Sequence, residues 1–384
     1  MAHSSPSSKR HIAVVEPQME HFYHAPFNAA LLHTVVLAQP GDTVSFQAFP
    51  SHIQVVREIL TQHDPELPGR IEWHPVPLPS GKNALSRFLE TRRFIRTAAS
   101  SSDRVLFTSI SRMQLLHLKR FLRGNPRHQV RAVIHGDLDR VTYNFKEHFP
   151  NNLFPLQRVV LMPHPAGLRY LMLSESIREY IPAELRPGLE QSAAIDHPYH
   201  FPPIDTAPPA RLTFGIFGNS GDGRLIEQVA RSVKAIDPSV PISLVGSLSG
   251  PEAVERLSPL VSDATDVPIS RETFIARANN ISHTLWLAPP DSFRLRASGT
   301  FFDALAYGKP LIYTANPYID PYYAAETGIG VRCETIEDVP SAILQVVRGY
   351  SPAQYVEAQQ AMQRLRRRFT PQEQAPGLAR ALNW

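Results

Sequence analysis

The sequence predicts an α/β protein built from two Rossmann-like domains facing one another across a cleft, and three observations carry that expectation. Short apolar runs of strand length alternate with stretches of helical periodicity from His11 onward, which is the pattern of parallel α/β architecture. The alternation is broken by His197 to Ala210, where five prolines fall in fourteen residues. Proline removes a backbone donor and its neighbour avoids helix, so this stretch reads as an extended linker. Finally, 384 residues suit two domains better than one, because a single core stops growing near about 250–300 residues.

Residues 1–10 are polar and Ser-rich and read as a disordered tail without the apolar stretch of a targeting signal. The first domain is expected over residues 11–200, a linker over 201–210, a second domain over 211–350, and a C-terminal helical segment over 351–384. In the first domain, strands are predicted at Ile12–Val15, Val44–Phe49, Ile71–Val76, Val105–Thr108, Val130–Ile134, Val159–Met162 and Tyr170–Leu173. Helical periodicity lies between them at Asn28–Ala38, Ile53–Gln62, Ala84–Ala99 and Met113–Leu122. The second alternation runs through strand Arg211–Phe217, helix Arg224–Ile236, strand Ile242–Val245, helix Arg271–Asn279, strand Thr284–Ala288, helix Gly299–Tyr307, strand Leu311–Tyr313 and helix Ile336–Arg348. A last helix is predicted over Pro352–Phe369.

Composition narrows the class. Apolar residues make up 43% of the chain, enough for two cores, and 39 basic against 35 acidic residues leave a net charge of +4, too small for a nucleic-acid binder. The lone cysteine, Cys333, excludes an internal disulfide, fits a reducing compartment, and reads as a small buried hydrophobe. No run of residues approaches the ~18 apolar positions of a spanning helix.

The segment Thr284 to Ile312 is the most informative. A strand ends in a Pro-broken loop carrying Arg294 and Arg296, and Ser298-Gly299-Thr300 then opens a short helix that closes at Gly308 with Pro310 beyond. The first N–H groups of a helix lack intrahelical partners and sit at its positive end, so this layout suits an anion such as a diphosphate. The second domain's first strand ends in a similar device, Gly218-Asn219-Ser220-Gly221-Asp222-Gly223-Arg224, whose glycines allow the backbone to approach a pyrophosphate. It lacks dinucleotide spacing, and no carboxylate ends the next strand.

Ser298-Gly299-Thr300 followed by Asp303-Ala-Leu-Ala-Tyr-Gly-Lys-Pro resembles the donor-site segment of GT-B glycosyltransferases, most closely the retaining family four. The resemblance implies that Asp303 holds the nucleotide ribose, that Arg224 faces the donor phosphates, that Ile269 lies against the nucleobase, and that His135, in His135-Gly136-Asp137, lies near the donor sugar. It also implies that the C-terminal helix returns to the first domain. The family's second acid, eight residues before Asp303, is Leu295 here, which leaves the stereochemical outcome open.

An inverting transferase requires a base for the acceptor hydroxyl, and Asp137, Glu16 and His24 compete for that role. Glu16 and His24 belong to a loop after the first strand that is dense in titratable and aromatic groups, Glu16 to Asn28. His21 and His24 stand three apart, but no compact ligand set completes a metal site around them. The expected activity is metal-independent, cofactor-free transfer from a nucleotide-diphosphate sugar to a glycan, lipid-linked or small-molecule hydroxyl, with roles such as polysaccharide biosynthesis in the cytoplasm. Helices mixing Arg and Phe at Arg87–Arg96 and Lys119–Arg123 would allow peripheral contact with the inner face of the membrane. A non-hydrolysing nucleotide-sugar epimerase and a catalytically silent partner subunit are the alternatives.

Overall fold

The computed structural model describes residues 10–77, 83–134, 138–139, 154–204, 207–289 and 292–384. His135 and Asp137 lie outside the described residues. The chain divides into two compact units. Residues 1–200, 295–297 and 369–384 form the first, and 201–294 with 298–368 form the second.

The first unit runs β1 (His11–Val15), α1 (Ala25–Ala38), β2 (Thr43–Ala48), α2 (Pro50–His63), β3 (Ile71–Pro75), α3 (Ala84–Ala99), β4 (Arg104–Phe107), α4 (Arg112–Gly124), β5 (Gln129–Val133), α5 (Leu156–Leu161), β6 (Leu168–Met172), α6 (Glu175–Glu179), α7 (Arg186–Leu189) and β7 (Ser192–Ala194). Its parallel sheet has the order β3-β2-β1-β4-β5-β6-β7. β1 is apolar almost throughout because both faces of a parallel sheet are covered. α1 is buried on nearly every side, as its composition requires, and packs against α2 and the C-terminal helix α15 (Pro371–Leu382). Capping boxes start α3 (Asn83 with Ser86) and α4 (Ser111 with Gln114).

The stretch predicted as a strand at Val159–Met162 is instead part of the helix α5. Its buried residues, Leu156, Val159 and Val160, fall at i, i+3 and i+4, a helical stripe that a four-residue window reads as a strand.

The second unit contains β8 (Phe214–Asn219), α8 (Arg224–Ile236), β9 (Ile242–Ser247), α9 (Pro251–Leu257), α10 (Arg271–Asn280), β10 (His283–Trp286), α11 (Gly299–Ala306), β11 (Leu311–Thr314), α12 (Asp320–Ala325), β12 (Gly330–Cys333), α13 (Val339–Arg348) and α14 (Pro352–Arg368). The strands are parallel in the order β12-β11-β10-β8-β9. α8 buries Ile226, Val229, Ala230 and Val233 against the core shared by β8, β9 and α13. Where one terminal helix was expected over Pro352–Phe369, there are two: α14 stays with the second unit, and the chain from Phe369 onward belongs to the first.

Both sheets reverse direction once. In the first the reversal falls between β1 and β4, in the second between β8 and β10. Right-handed crossovers send the helices to opposite faces on either side of such a point, leaving a crevice at the strands' carboxyl ends.

Candidate functional site

In the second unit the two segments singled out from sequence are the two loops that flank the reversal. Gly218, Gly221 and Gly223 all have left-handed backbone, with φ of 83°, 57° and 69°. A Cβ on Gly218 would stand 2.7 Å from Thr300 Cγ2, so this loop touches the first turn of α11. Asn219 Oδ1 accepts from Gly221 N at 3.0 Å, which tightens the turn, and Ser220 N donates to Ser247 O at 3.0 Å.

The start of α11 is pinned from below. Ser298 is fully buried; its hydroxyl accepts from Phe301 N at 3.3 Å and from Trp286 Nε1 at 3.0 Å. Gly299 is exposed, with nothing within 4 Å of where a Cβ would be. Among the described residues no acceptor takes the N–H of Gly299 or Thr300. These two amides, at the positive end of the helix and beside a glycine loop, can receive the oxygens of an anion. The helix ends in a Schellman motif, with Lys309 N donating to Ala304 O at 3.0 Å and Gly308 N to Leu305 O at 3.1 Å, and Gly308 at φ 60°.

Asp303 lies one turn into α11. Its carboxylate has no hydrogen bond or ion pair among the described residues, and loss of solvation pushes its pKa up to about 7. Tyr307, four residues on, is pushed up to about 12, first by burial and then by Asp303, with Arg271 acting against both. Tyr307, Phe217 and Phe274 form an aromatic trio with ring centroids 5.7–6.0 Å apart.

In the first unit the loops after β1 and β4 are joined by Glu16. This carboxylate is fully buried and takes five donors. Oε1 accepts from Gln18 N at 2.9 Å, Met19 N at 3.3 Å and Ser109 Oγ at 2.7 Å. Oε2 accepts from Thr108 Oγ1 at 2.8 Å and Asn28 Nδ2 at 3.1 Å. Asn28 Nδ2 also lies 2.8 Å from His52 Nε2, and His52 Nδ1 lies 2.9 Å from His21 O. A carbonyl only accepts, so Nδ1 carries the proton and Nε2 accepts from Asn28. Burial holds the pKa of His52 below the usual histidine value, against the pull of Glu16, which fits that neutral tautomer.

The network holds a loop in which His21 and His24 both have positive φ, 48° and 57°. His24 is itself held below the ordinary histidine pKa by burial, with Glu16 opposing.

No protein-family model matches the chain, and no curated protein matches it. Solved structures do. Sucrose-phosphate synthase from Thermosynechococcus elongatus superposes with a TM-score of 0.66 at 14% identity, over 97% of this chain and 98% of that one. HepE from Anabaena, crystallised with UDP and glucose, gives 0.64 at 11% identity over 97% and 99%. A glycosyltransferase from Rickettsia africae gives 0.60 at 12% over 97% and 97%. The chain has the GT-B fold.

On this GT-B scaffold the residues expected from sequence are placed unequally. Gly218, Asn219, Ser220, Gly299, Thr300 and Asp303 lie on the two loops at the second reversal or on the helix that follows. Ile269 is half-buried just before Ser270, whose hydroxyl caps α10. Arg294 is half-buried in the loop after β10. Arg224 is 83% exposed at its side chain and pairs with Asp222 at 2.8 Å. Arg296 pairs with the buried Asp139 at 2.7 Å, and the N–H of the fully buried Leu295 donates to the other oxygen of Asp139 at 3.0 Å.

Asn28, His52, Thr108 and Ser109 were not singled out from sequence. The signal available was positional: Thr108 and Ser109 directly follow the strand neighbouring the one that delivers Glu16. Among the described residues no group of three His, Cys, Asp or Glu could hold a metal ion, and no helix is long and apolar enough to cross a membrane.

Proposed function

We propose that this protein is a glycosyltransferase that moves a sugar from a nucleotide-diphosphate donor to a hydroxyl acceptor. The observation behind it is the pair of unpartnered amides at Gly299 and Thr300, set against a left-handed glycine loop. In this reading the diphosphate rests on those amides and on the Gly218–Gly223 backbone, with Arg294 supplying charge and Arg224 swinging from Asp222 to reach an outer oxygen. Ile269 lies along the base and Asp303 takes the ribose hydroxyls. Its raised pKa reflects a carboxyl with no partner until a ligand supplies hydroxyl donors.

The reaction breaks the bond between anomeric carbon and diphosphate oxygen, forms one to the acceptor oxygen, and releases the acceptor's proton to a base. Fixed amides and guanidinium groups meet the charge growing on the diphosphate, so the scheme requires no metal. His24 is the base we favour from the first unit, because the Glu16 charge beside it would stabilise the imidazolium formed when it takes the proton, against the cost of burial. Glu16 would first have to release five donors, so anchoring the loop is its proposed role; Asp137 and His135 stay as further candidates. HepE shares the fold and is crystallised with UDP and glucose, which makes a UDP-sugar the first donor to try. A lipid-linked acceptor at the inner membrane face would suit the basic and aromatic helices α3 and α4, and polysaccharide assembly is the role such an acceptor implies.

The test is turnover. UDP release from a UDP-sugar that appears only with an acceptor present is the expected result. Epimer formation without acceptor would replace transfer by epimerisation, and saturable donor binding with neither reaction would leave a silent partner, the outcome Leu295 allows.

A further inference from the structure

A cavity of about 350 Å³ opens between α3 and α4, lined by Phe88, Arg92 and Arg96 from one helix and His117, Arg120 and Phe121 from the other, and closed by Gly124 and Asn125. Residues 88, 92 and 96 share one face of α3 at i+4 spacing, and 117, 120, 121 and 124 share one face of α4, so the packing of the two helices gathers three guanidinium groups at one mouth. Among the described residues no carboxylate lines the cavity.

His117 is 3% exposed, and its Nε2 has no hydrogen-bond partner among the described residues. A buried ring nitrogen left unpaired costs free energy that a ligand can return. Burial first, then Arg120 and Arg92, drive the His117 pKa down to about 4, a sign of positive potential that a bound anion would offset. Phe88 meets the imidazole edge-on at 4.5 Å and Phe121 lines the cavity beside it, so one wall of the site is apolar. The apolar wall continues outward along α3 through Leu85 and Leu89, 67% and 51% exposed.

Planar guanidinium forks match phosphoryl oxygens in pairs, and three of them outweigh the partial negative charge at the end of α4. We infer that this cavity is a binding site for a phosphoryl group attached to an apolar or aromatic moiety, with Arg92, Arg96 and Arg120 on the oxygens and the phenyl rings and exposed leucines on the remainder. The site is independent of the donor reading, since it stands on α3 and α4 alone. Its phosphoryl group could come from a soluble phosphate ester or from a lipid headgroup.

The experiment follows the His117 ring resonances by NMR, assigned by their loss in His117→Gln, while inorganic phosphate or octyl phosphate is added at constant ionic strength. A saturable shift is expected, tighter for octyl phosphate than for phosphate, and weakened at least tenfold in Arg92→Gln/Arg120→Gln, whose fold is checked by its unliganded melting temperature. Flotation with phosphatidylcholine vesicles containing phosphatidic acid assigns the source. Arginine-dependent flotation marks a headgroup, and saturation by octyl phosphate without flotation marks a soluble ester. A shift that fails to saturate, or that persists in the double variant, overturns the inference whatever the turnover assays show.

Discussion

The two sheet reversals share a topology and differ in how their polar groups are satisfied. At the first, Glu16 takes five donors and, through Asn28 and His52, fixes a loop in left-handed conformations. At the second, two amides and one carboxyl have no partner among the described residues. A buried carboxylate saturated by five donors adds rigidity, whereas groups left open at a helix start beside a left-handed glycine loop need an outside partner. In the proposed reading the network at the first crevice holds the loop that carries His24 in shape, and the second crevice receives an anion.

The largest expected effect is at the Glu16 network. Glu16→Ala strands five donors around a buried hole and should cost about 3 kcal/mol or more, lowering Tm by roughly 6–12 °C in thermal denaturation. A loss below about 1 kcal/mol would mean that the network is not what fixes the loop. Next comes Gly218→Val, which places a branched side chain at φ 83° where even a Cβ lies 2.7 Å from Thr300. It should cost about 1–2 kcal/mol and abolish any UDP-induced rise in Tm, a rise that reaches about 2.7 kcal/mol of stabilisation at a hundredfold excess over Kd.

These two sites were not equally legible in the sequence. Alternation, the proline-rich break and the Gly308-Lys309-Pro310 ending are local signals, and each is written within a few residues of the structure it specifies. The open site was readable for the same reason, since a glycine loop and a Ser-Gly-Thr helix start announce themselves by composition. Partners were not readable. Arg296 meets Asp139 across 157 positions, and Glu16 meets Ser109 across 93, so spacing alone could not show that one arginine is ion-paired or that one carboxylate is saturated. The Ser298 hydroxyl, readable as a ligand donor, is held as a cap by Phe301 N and Trp286 Nε1.

Asp303 sharpens the comparison through pH. An acid whose pKa rises to about 7 on folding destabilises its ionised form, so the unliganded protein should lose stability as pH climbs from about 4 through 7. Asp303→Asn removes that loss: its Tm should exceed that of the wild type at pH 8 and match it near pH 4. Equal Tm values at both ends of the range would show the carboxyl to be well solvated. The smallest effect is at Arg224, exposed and paired among the described residues with Asp222. Arg224→Ala should leave stability within about 0.5 kcal/mol and weaken UDP binding by about 1 kcal/mol, or ~5-fold, by calorimetry.

The most direct measurement follows the backbone amide resonances of Gly299 and Thr300 while UDP is added. Both should move early and saturate together, with shifts far larger than those of the buried amides in the Glu16 network, because an anion has taken donors that had no acceptor. If UDP binds and these two amides stay still, the diphosphate sits elsewhere and the open helix start is not the donor site.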